Sequence, residues 1–130
     1  MGALGGLTPD SLLYSPPIYR NFLLADAARQ YGYCEKAGTG VDKIYYHLIL
    51  NGFEFPIFDA GRSSFSVLIR TRRDRAFARF VKEFAGTLDL RLSDLIVLRV
   101  LRSRSSATGP DLARRSQRPI EYMRDVLSDL

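Results

Sequence analysis

The sequence predicts an α+β fold, in which a small unit of two helices and a hairpin-like sheet is followed by an all-α bundle of short helices. Three observations predict it. Apolar residues recur at three- and four-residue spacing in several segments, which is the period of an amphipathic helix. Residues 65–71 instead alternate between apolar and polar side chains, as a half-buried strand does. A run of arginines near residue 72 then separates this mixed part from a purely helical last third.

The composition is that of a soluble globular protein. Of the 130 residues, 46% are hydrophobic and 25% are charged, and the single cysteine, Cys34, excludes an internal disulfide and a thiolate metal cluster. No apolar run is long enough to cross a bilayer, and residues 1–7 lack the basic and apolar regions of a secretory signal. We therefore expect a cytoplasmic protein with no membrane partner. The net charge of +5 favours a polyanionic partner.

The helices of the first unit are predicted from spacing and from their stop signals. Residues 7–13 predict a short helical turn, in which a proline occupies the first helical position. Residues 21–31 carry apolar side chains at helical spacing, and Gly32 closes that helix. The second helix runs from about residue 39 to residue 50, and Asn51–Gly52 supplies a left-handed stop.

Two extended segments follow. Residues 53–58 are too apolar for a loop, and Pro56 confines them to a sheet edge or to an irregular segment. Residues 59–64 are predicted to form the turn. Residues 65–71 are the best strand in the chain, and their alternate apolar side chains share one face. We expect both preceding helices to pack on this piece of sheet.

The last part of the chain is predicted to be helical throughout. Residues 77–84 form an amphipathic helix that ends at Gly86, and residues 93–103 form another with Ser93 as its cap. A short helix follows Thr108, and residues 116–119 lead into the final one. The apolar positions of this final helix, which we expect to face the core, are Ile120, Met123, Leu127 and Leu130.

A change in composition marks the predicted domain boundary. Five arginines fall within ten residues: Arg70, Arg72, Arg73, Arg75 and Arg79. They are consistent either with a solvated linker and helix face or with a phosphate-binding stripe. We divide the chain into an α+β unit at residues 1–72, a linker helix at residues 73–87 and a three-helix unit at residues 88–130.

Three short helices with a tight turn before the last, rich in arginine, suggest a helix-turn-helix. In that geometry Arg118 and Tyr122 would contact bases or phosphates, and Arg114 and Arg115 would reach the backbone. The predicted nucleic-acid-binding residues are Arg114, Arg115, Arg118, Glu121, Tyr122 and Arg124. A three-helix bundle whose arginines are only solvated fits the same pattern.

A glycine-bracketed turn opens the second helix. Gly38, Thr39 and Gly40 let the backbone approach a neighbour closely, and the threonine can cap the helix. A helix N-terminus of this kind is a potential phosphate-binding site. An ordinary junction between a loop and a helix has the same sequence, so both interpretations stay open.

Two runs resemble a known family. Residues 17–28, PIYRNFLLADAA, resemble its run RNPLLADALR, and residues 32–44, GYCEKAGTGVDKI, are similar to its run GLVERAGTGVDRI. On these runs residues 5–70 resemble the RecG-related DNA helicases and transcriptional regulators. The resemblance implies the end of a degenerate GHKL-type ATPase-like domain, followed by a winged helix-turn-helix.

The resemblance also has departures. Phe22 replaces the usual proline of the family, and neither the Asn/His-rich helix that holds Mg-ATP nor the strand with the NPG turn is present. The chain also stops where related proteins continue into the wing. We therefore expect a partial GHKL-like unit without a complete ATP pocket, followed by a winged-helix-type helix-turn-helix without its wing.

The predicted function is non-catalytic binding of double-stranded DNA in transcription regulation. No Walker motif is present, so neither helicase nor ATPase activity is expected. The only histidine, His47, lies off the apolar stripe of its helix, and we interpret it as a surface side chain. No metal and no cofactor are expected in this chain, although the resemblance implies that ATP could bind full-length members of the family. The alternatives are an oligomerisation or packing module, forming a homodimer through residues 65–71, and an ATP-responsive regulatory domain.

Overall fold

The computed structural model describes residues 7–13, 15–34, 38–61, 64–85, 87–104 and 106–129. Within these ranges the chain is mostly helical, with six α-helices, a 3-10 turn and a two-stranded antiparallel hairpin. The α+β class is thereby confirmed, with helix as the larger part. The predictions that concern Gly86, Leu130 and the residues just before Gly38 lie outside the described residues.

The elements follow one another in the predicted order. Their bounds are Pro9–Ser11 for the 3-10 turn, Phe22–Gln30 for α1, Gly40–Leu50 for α2, Ile57–Ala60 for β1, Phe65–Leu68 for β2, Arg75–Ala85 for α3, Leu92–Ser103 for α4, Gly109–Ser116 for α5 and Ile120–Asp129 for α6.

Helix α1 forms as predicted, but it does not pack as predicted. The side-chain oxygen of Asn21 accepts a hydrogen bond from the backbone N–H of Leu24 at 2.9 Å, and Gly32 follows the helix with a φ of +77°. No side chain of α1 is buried, and Leu23 is 80% exposed. The expectation that this helix packs on the sheet is therefore wrong. The large side chains of its apolar side, Leu23, Leu24 and Tyr31, are exposed, and Ala27 and Ala28 are only partly buried.

Helix α2 carries part of the core. Tyr45 and Ile49 are buried, and the Tyr45 ring stacks on that of Phe58 with 6.2 Å between centroids, which joins the helix to β1. Thr39 occupies the N-cap position, but within the described part of the chain its side chain makes no capping hydrogen bond. Gly52 stops the helix with a φ of +80°, as the sequence predicts.

The hairpin is shifted from its predicted limits. Strand β1 continues through Asp59 and Ala60, which the sequence places in the turn, and β2 ends at Leu68, earlier than predicted. Phe58 pairs with Val67 and Ala60 pairs with Phe65. All four side chains of β2 are exposed.

Helix α4 is the most buried element. Leu95, Ile96, Val97 and Val100 are completely buried, and they lie on several sides of the helix. The prediction that Ser93 caps α4 is wrong: Arg91 is the N-cap, and Ser93 lies buried in the first turn. The helix begins earlier because the carboxylate of Asp94 accepts a hydrogen bond from the Arg91 backbone N–H at 2.8 Å.

The buried side chains form one cluster that extends through both parts of the chain. Its members are Leu13, Tyr45, Ile49, Phe58, Phe77, Val81, Leu95, Ile96, Val97, Val100, Leu112, Met123 and Val126. Helix α3 contributes two of them, so the segment predicted as a linker helix also contributes to the core. The predicted domain limits themselves remain predictions.

The core face of α6 differs from its prediction at one position. Met123 is buried and Ile120 is partly buried, as expected, but Leu127 is 44% exposed and Val126 is buried in its place. Positions 120, 123 and 126 follow one another at three-residue spacing. Because α6 is only ten residues long, this spacing keeps all three on one side of the helix.

Gly52 and Gly32 provide a matched test of the junction after α2. Both have positive φ, but a Cβ at Gly52 would overlap the carbonyl oxygen of Asp74, whereas a Cβ at Gly32 would meet nothing within 4 Å. Each alanine substitution costs roughly 1 kcal/mol for the left-handed backbone, and Gly52→Ala should cost about 2 kcal/mol more for the steric overlap. Urea unfolding of the two variants checks this, and equal free energies of unfolding would contradict it.

Candidate nucleic-acid interface

Helices α4, α5 and α6 make up the segment that the sequence predicts to be a helix-turn-helix. The hydroxyl of Thr108 accepts a hydrogen bond from the Asp111 backbone N–H at 3.4 Å, which caps α5 as predicted. Helix α5 ends at Gln117, whose φ of 55° and ψ of 32° are left-handed. Only two residues separate Gln117 from the start of α6 at Ile120, so the turn between these helices is tight. This turn sets the direction in which α6 leaves α5.

The predicted contact residues of α6 do not all lie on its solvent side. The guanidinium carbon of Arg118 lies 4.9 Å from the centroid of the Tyr122 ring, and this ring is itself half-buried against the core. Glu121 and Arg124 are exposed, as is Asp125. Asp129 is exposed as well, so α6 carries three exposed carboxylates and one exposed arginine.

The two arginines at the end of α5 have different environments. The side chain of Arg114 is 72% exposed, and its Nη2 lies 3.6 Å from a carboxylate oxygen of Asp111. Arg115 is half-buried, and its Nε is buried with no acceptor among the described residues. Only Arg114 is therefore as open to solvent as the sequence-based interpretation expects.

Gln117 is a structural residue that the sequence did not indicate. Its side-chain oxygen accepts a hydrogen bond from the backbone N–H of Leu13 at 2.9 Å, and its side-chain nitrogen donates to the carbonyl of Pro9 at 3.0 Å. These bonds connect the turn between α5 and α6 to the segment around the 3-10 turn. A glutamine in a polar turn carries no local signal of so distant a partner.

The starts of α2 and α6 lie close enough for their charges to interact. Burial raises the pKa of Asp42 in the first turn of α2, and the positive charge of Arg118 opposes this rise. The two regions predicted as functional, the turn that opens α2 and the start of α6, are thus neighbours in the fold.

The glycine-bracketed turn has a packing explanation. Gly38 has a φ of +62°, and a Cβ there would lie 3.3 Å from the Cδ of Pro17. The side chain of Pro17 therefore lies against the backbone of Gly38, in the place that a phosphate would need. A Cβ on Gly40 would meet nothing within 4 Å. A phosphate role for Gly38, Thr39 and Gly40 stays a prediction.

Asp74 neutralises part of the arginine-rich surface. One carboxylate oxygen accepts a hydrogen bond from the Phe77 backbone N–H at 2.9 Å, which caps α3, and the other accepts one from Nε of Arg102 at 2.8 Å. The bond from Arg102 and then the bond from Phe77 hold the pKa of Asp74 below its ordinary value. Sequence inspection did not single out this pair, which joins α3 to α4.

Comparison with known proteins identifies the first part of the chain. The family described as "Putative ATP-dependent DNA helicase recG C-terminal" matches residues 2–69, which are more than half of the chain. The chain belongs to this family. The resemblance predicted from the two sequence runs is therefore confirmed, and α3 to α6 lie beyond the segment that defines this RecG C-terminal family.

A solved structure extends the likeness over the rest of the fold. The chain is similar to the DIP2311 protein from Corynebacterium diphtheriae, with a TM-score of 0.78 and 26% identity over 99% of this chain. The aligned part is 28% of the length of that protein. No curated protein matched this RecG C-terminal family member. None of the helices in the described ranges is both long and apolar enough to cross a membrane.

The Asp74–Arg102 pair should make stability depend on pH. Because the folded pKa of Asp74 is lowered, its ionised form stabilises the fold above the ordinary carboxyl value of 3.8, and this contribution is lost as the pH falls through the lowered value. We expect Asp74→Asn to lower the free energy of unfolding at pH 7, because asparagine keeps the cap but not the charge, and to have little effect at pH 2. Urea unfolding at both pH values measures this. Asp89→Asn, at an exposed position, is the control. If Asp74→Asn lowers the free energy of unfolding equally at both pH values, the expectation is contradicted.

Proposed function

We propose that this chain is the DNA-binding part of a transcription regulator and that α4 to α6 form a helix-turn-helix of the winged-helix type that contacts double-stranded DNA. The observation that carries the proposal is the tight left-handed turn at Gln117 between α5 and α6, with arginines on both sides of it. The description of the matched family names a DNA helicase, and a nucleic-acid partner for this chain is consistent with that description. In this proposal the first unit is the end of a GHKL-like domain.

The proposed mechanism divides the arginines by role. Arg114 and Arg124 are exposed and would contact phosphates, which gives affinity that depends on salt and not on sequence. Arg118 lies over the ring of Tyr122, and this contact limits the orientations of its guanidinium group. A guanidinium group held in one orientation can donate two hydrogen bonds to a guanine edge. Arg118 is therefore the proposed base-reading residue.

We also propose that the chain itself is not an enzyme. The support is the sequence, which has no Walker motif for nucleotide hydrolysis. The word helicase in the family description would then refer to related, longer proteins. ATP would be a ligand of full-length members, and this chain would act on DNA by binding alone.

Arg118→Ala tests the DNA proposal, and Arg79→Ala, an exposed arginine of α3, is the matched control. If Arg118 reads a base, its loss should weaken binding to the preferred duplex by about 1–3 kcal/mol and reduce the difference between preferred and unrelated sequences. Fluorescence anisotropy with labelled duplexes, at low and moderate salt, measures both effects. Unchanged affinity and preference in Arg118→Ala would refute the role.

The exposed hairpin supports a second candidate function, which is self-association. Phe65 is 49% exposed, Val67 is 42% exposed and Leu68 is 54% exposed, and β2 has one edge without a partner strand in the described structure. An exposed apolar edge strand pairs readily with another strand. In this candidate function, β2 pairs antiparallel with β2 of a second copy and forms a homodimer.

Val67→Lys tests this dimer, because a lysine on an edge strand opposes pairing. Sedimentation should show a concentration-dependent dimer for the unchanged chain and a monomer for Val67→Lys. The control is Leu23→Lys, which places the same charge on the exposed apolar surface of α1 and should leave the dimer intact. A monomer at every concentration of the unchanged chain would exclude the dimer.

A further inference from the structure

An arginine-lined cleft lies between the segment after α2 and the C-terminal end of α4. Its volume is about 410 Å³, and its charged and hydroxyl-bearing lining residues are Glu54, Arg70, Arg99, Ser103, Arg104 and Arg115. Small-molecule sites commonly have volumes of roughly 300–1,000 Å³. The cleft is therefore large enough to hold a small ligand, and four of its side chains are cationic.

Arg99 supplies a buried positive charge in this cleft. It is 9% exposed, its Nε donates a hydrogen bond to the carbonyl of Phe53 at 3.1 Å, and its guanidinium carbon lies 5.3 Å from the centroid of the Phe77 ring. In the described part of the chain no carboxylate is within ion-pair distance of it. Buried arginines are rare unless they are paired, and the carboxylate of Asp74, whose pKa the charge of Arg99 helps to lower, acts on it only from beyond ion-pair distance.

Arg115 adds a second unsatisfied group. Its Nε is buried and has no acceptor among the residues that the structure describes, although the residue lines the cleft. A buried donor without an acceptor keeps the cost of its lost hydration. An anion bound in the cleft would offset the charge of Arg99 and offer acceptors to both guanidinium groups.

The remaining cationic groups lie at more exposed positions. The side chain of Arg70 is 57% exposed and pairs with Glu54 at 3.1 Å, and that of Arg104 is 45% exposed and lies 3.9 Å from Asp111. Four arginines and one carboxylate therefore line the cleft, whereas α6 has one exposed arginine and three exposed carboxylates. The excess positive charge is in the cleft and not on α6.

We propose that this cleft binds the phosphate groups of a small ligand, such as a nucleotide or a polyphosphate. The planar guanidinium fork matches phosphate oxygens in geometry and charge, and paired arginines are the usual means of phosphate recognition in proteins. The concave shape admits a small anion, whereas duplex DNA presents its phosphates on a convex surface. The site goes beyond the proposed DNA contacts of α6, although it includes Arg115, which the sequence assigned to the DNA backbone.

Pyrophosphate, titrated into the full chain by calorimetry at low salt, tests the cleft. The double variant Arg70→Gln/Arg104→Gln removes two exposed cleft charges and should weaken binding at least tenfold. The matched control, Arg75→Gln/Arg79→Gln on α3, removes the same number of exposed charges and should change affinity less than twofold. A second variant, Arg99→Met, should also lose binding, and circular dichroism checks that it is folded.

Three outcomes would overturn the proposal. The first is the absence of pyrophosphate binding to the unchanged chain, and the second is an equal loss in both double variants, which would indicate net charge alone. The third is a cleft variant that loses duplex DNA but keeps pyrophosphate, which would make the cleft a DNA contact. Arg118→Ala should keep its pyrophosphate affinity, so failure of the proposed DNA function is distinguishable from failure of this site.

Discussion

The burial of α4 is the constraint on which the rest of the structure depends. Four of its apolar side chains are completely inaccessible to solvent, and the helix packs against α2 from the first unit and against α5 from the second. A helix buried on several sides cannot leave one neighbour without exposing apolar surface, and that exposure is unfavourable roughly in proportion to its area. The two parts of the chain therefore share one core, which also includes side chains of α3.

This shared core determines where the charges of the chain are found. Arg99 is on α4, so the helix that fills the core also carries a cation to the cleft beside the segment after α2. Under the two proposals, the surfaces have different roles: α6, on which exposed carboxylates outnumber arginines, would select a sequence, and the more basic cleft would hold a separate anion. The sequence shows how many arginines the chain has, but it does not show which of them lie in the cleft and which lie near α6.

Features that depend on neighbouring residues were predictable, and those that depend on distant contacts were not. The cap at Thr108 and the stop at Gly52 are set by a few adjacent side chains, and both were confirmed. The burial of Val126 in place of Leu127 depends on how the helices meet. The start of α4 at Arg91 is the exception, because it is set locally by the carboxylate of Asp94 and was still missed. Within the candidate sites, the six proposed DNA contacts and the glycine turn were named from sequence and remain predictions. The burial of Arg99 without a carboxylate at ion-pair distance, among the described residues, could be seen only in the fold.

The hydrogen bonds of Gln117 have a consequence for how the molecule is assembled. They join residues that are 104 and 108 positions apart, and so close nearly the whole chain into one loop. The entropy lost on closing so long a loop must be offset by packing, and contacts of this separation slow folding. The amide of Leu13 thus becomes protected from hydrogen exchange only in molecules whose first and last segments have both reached their native positions.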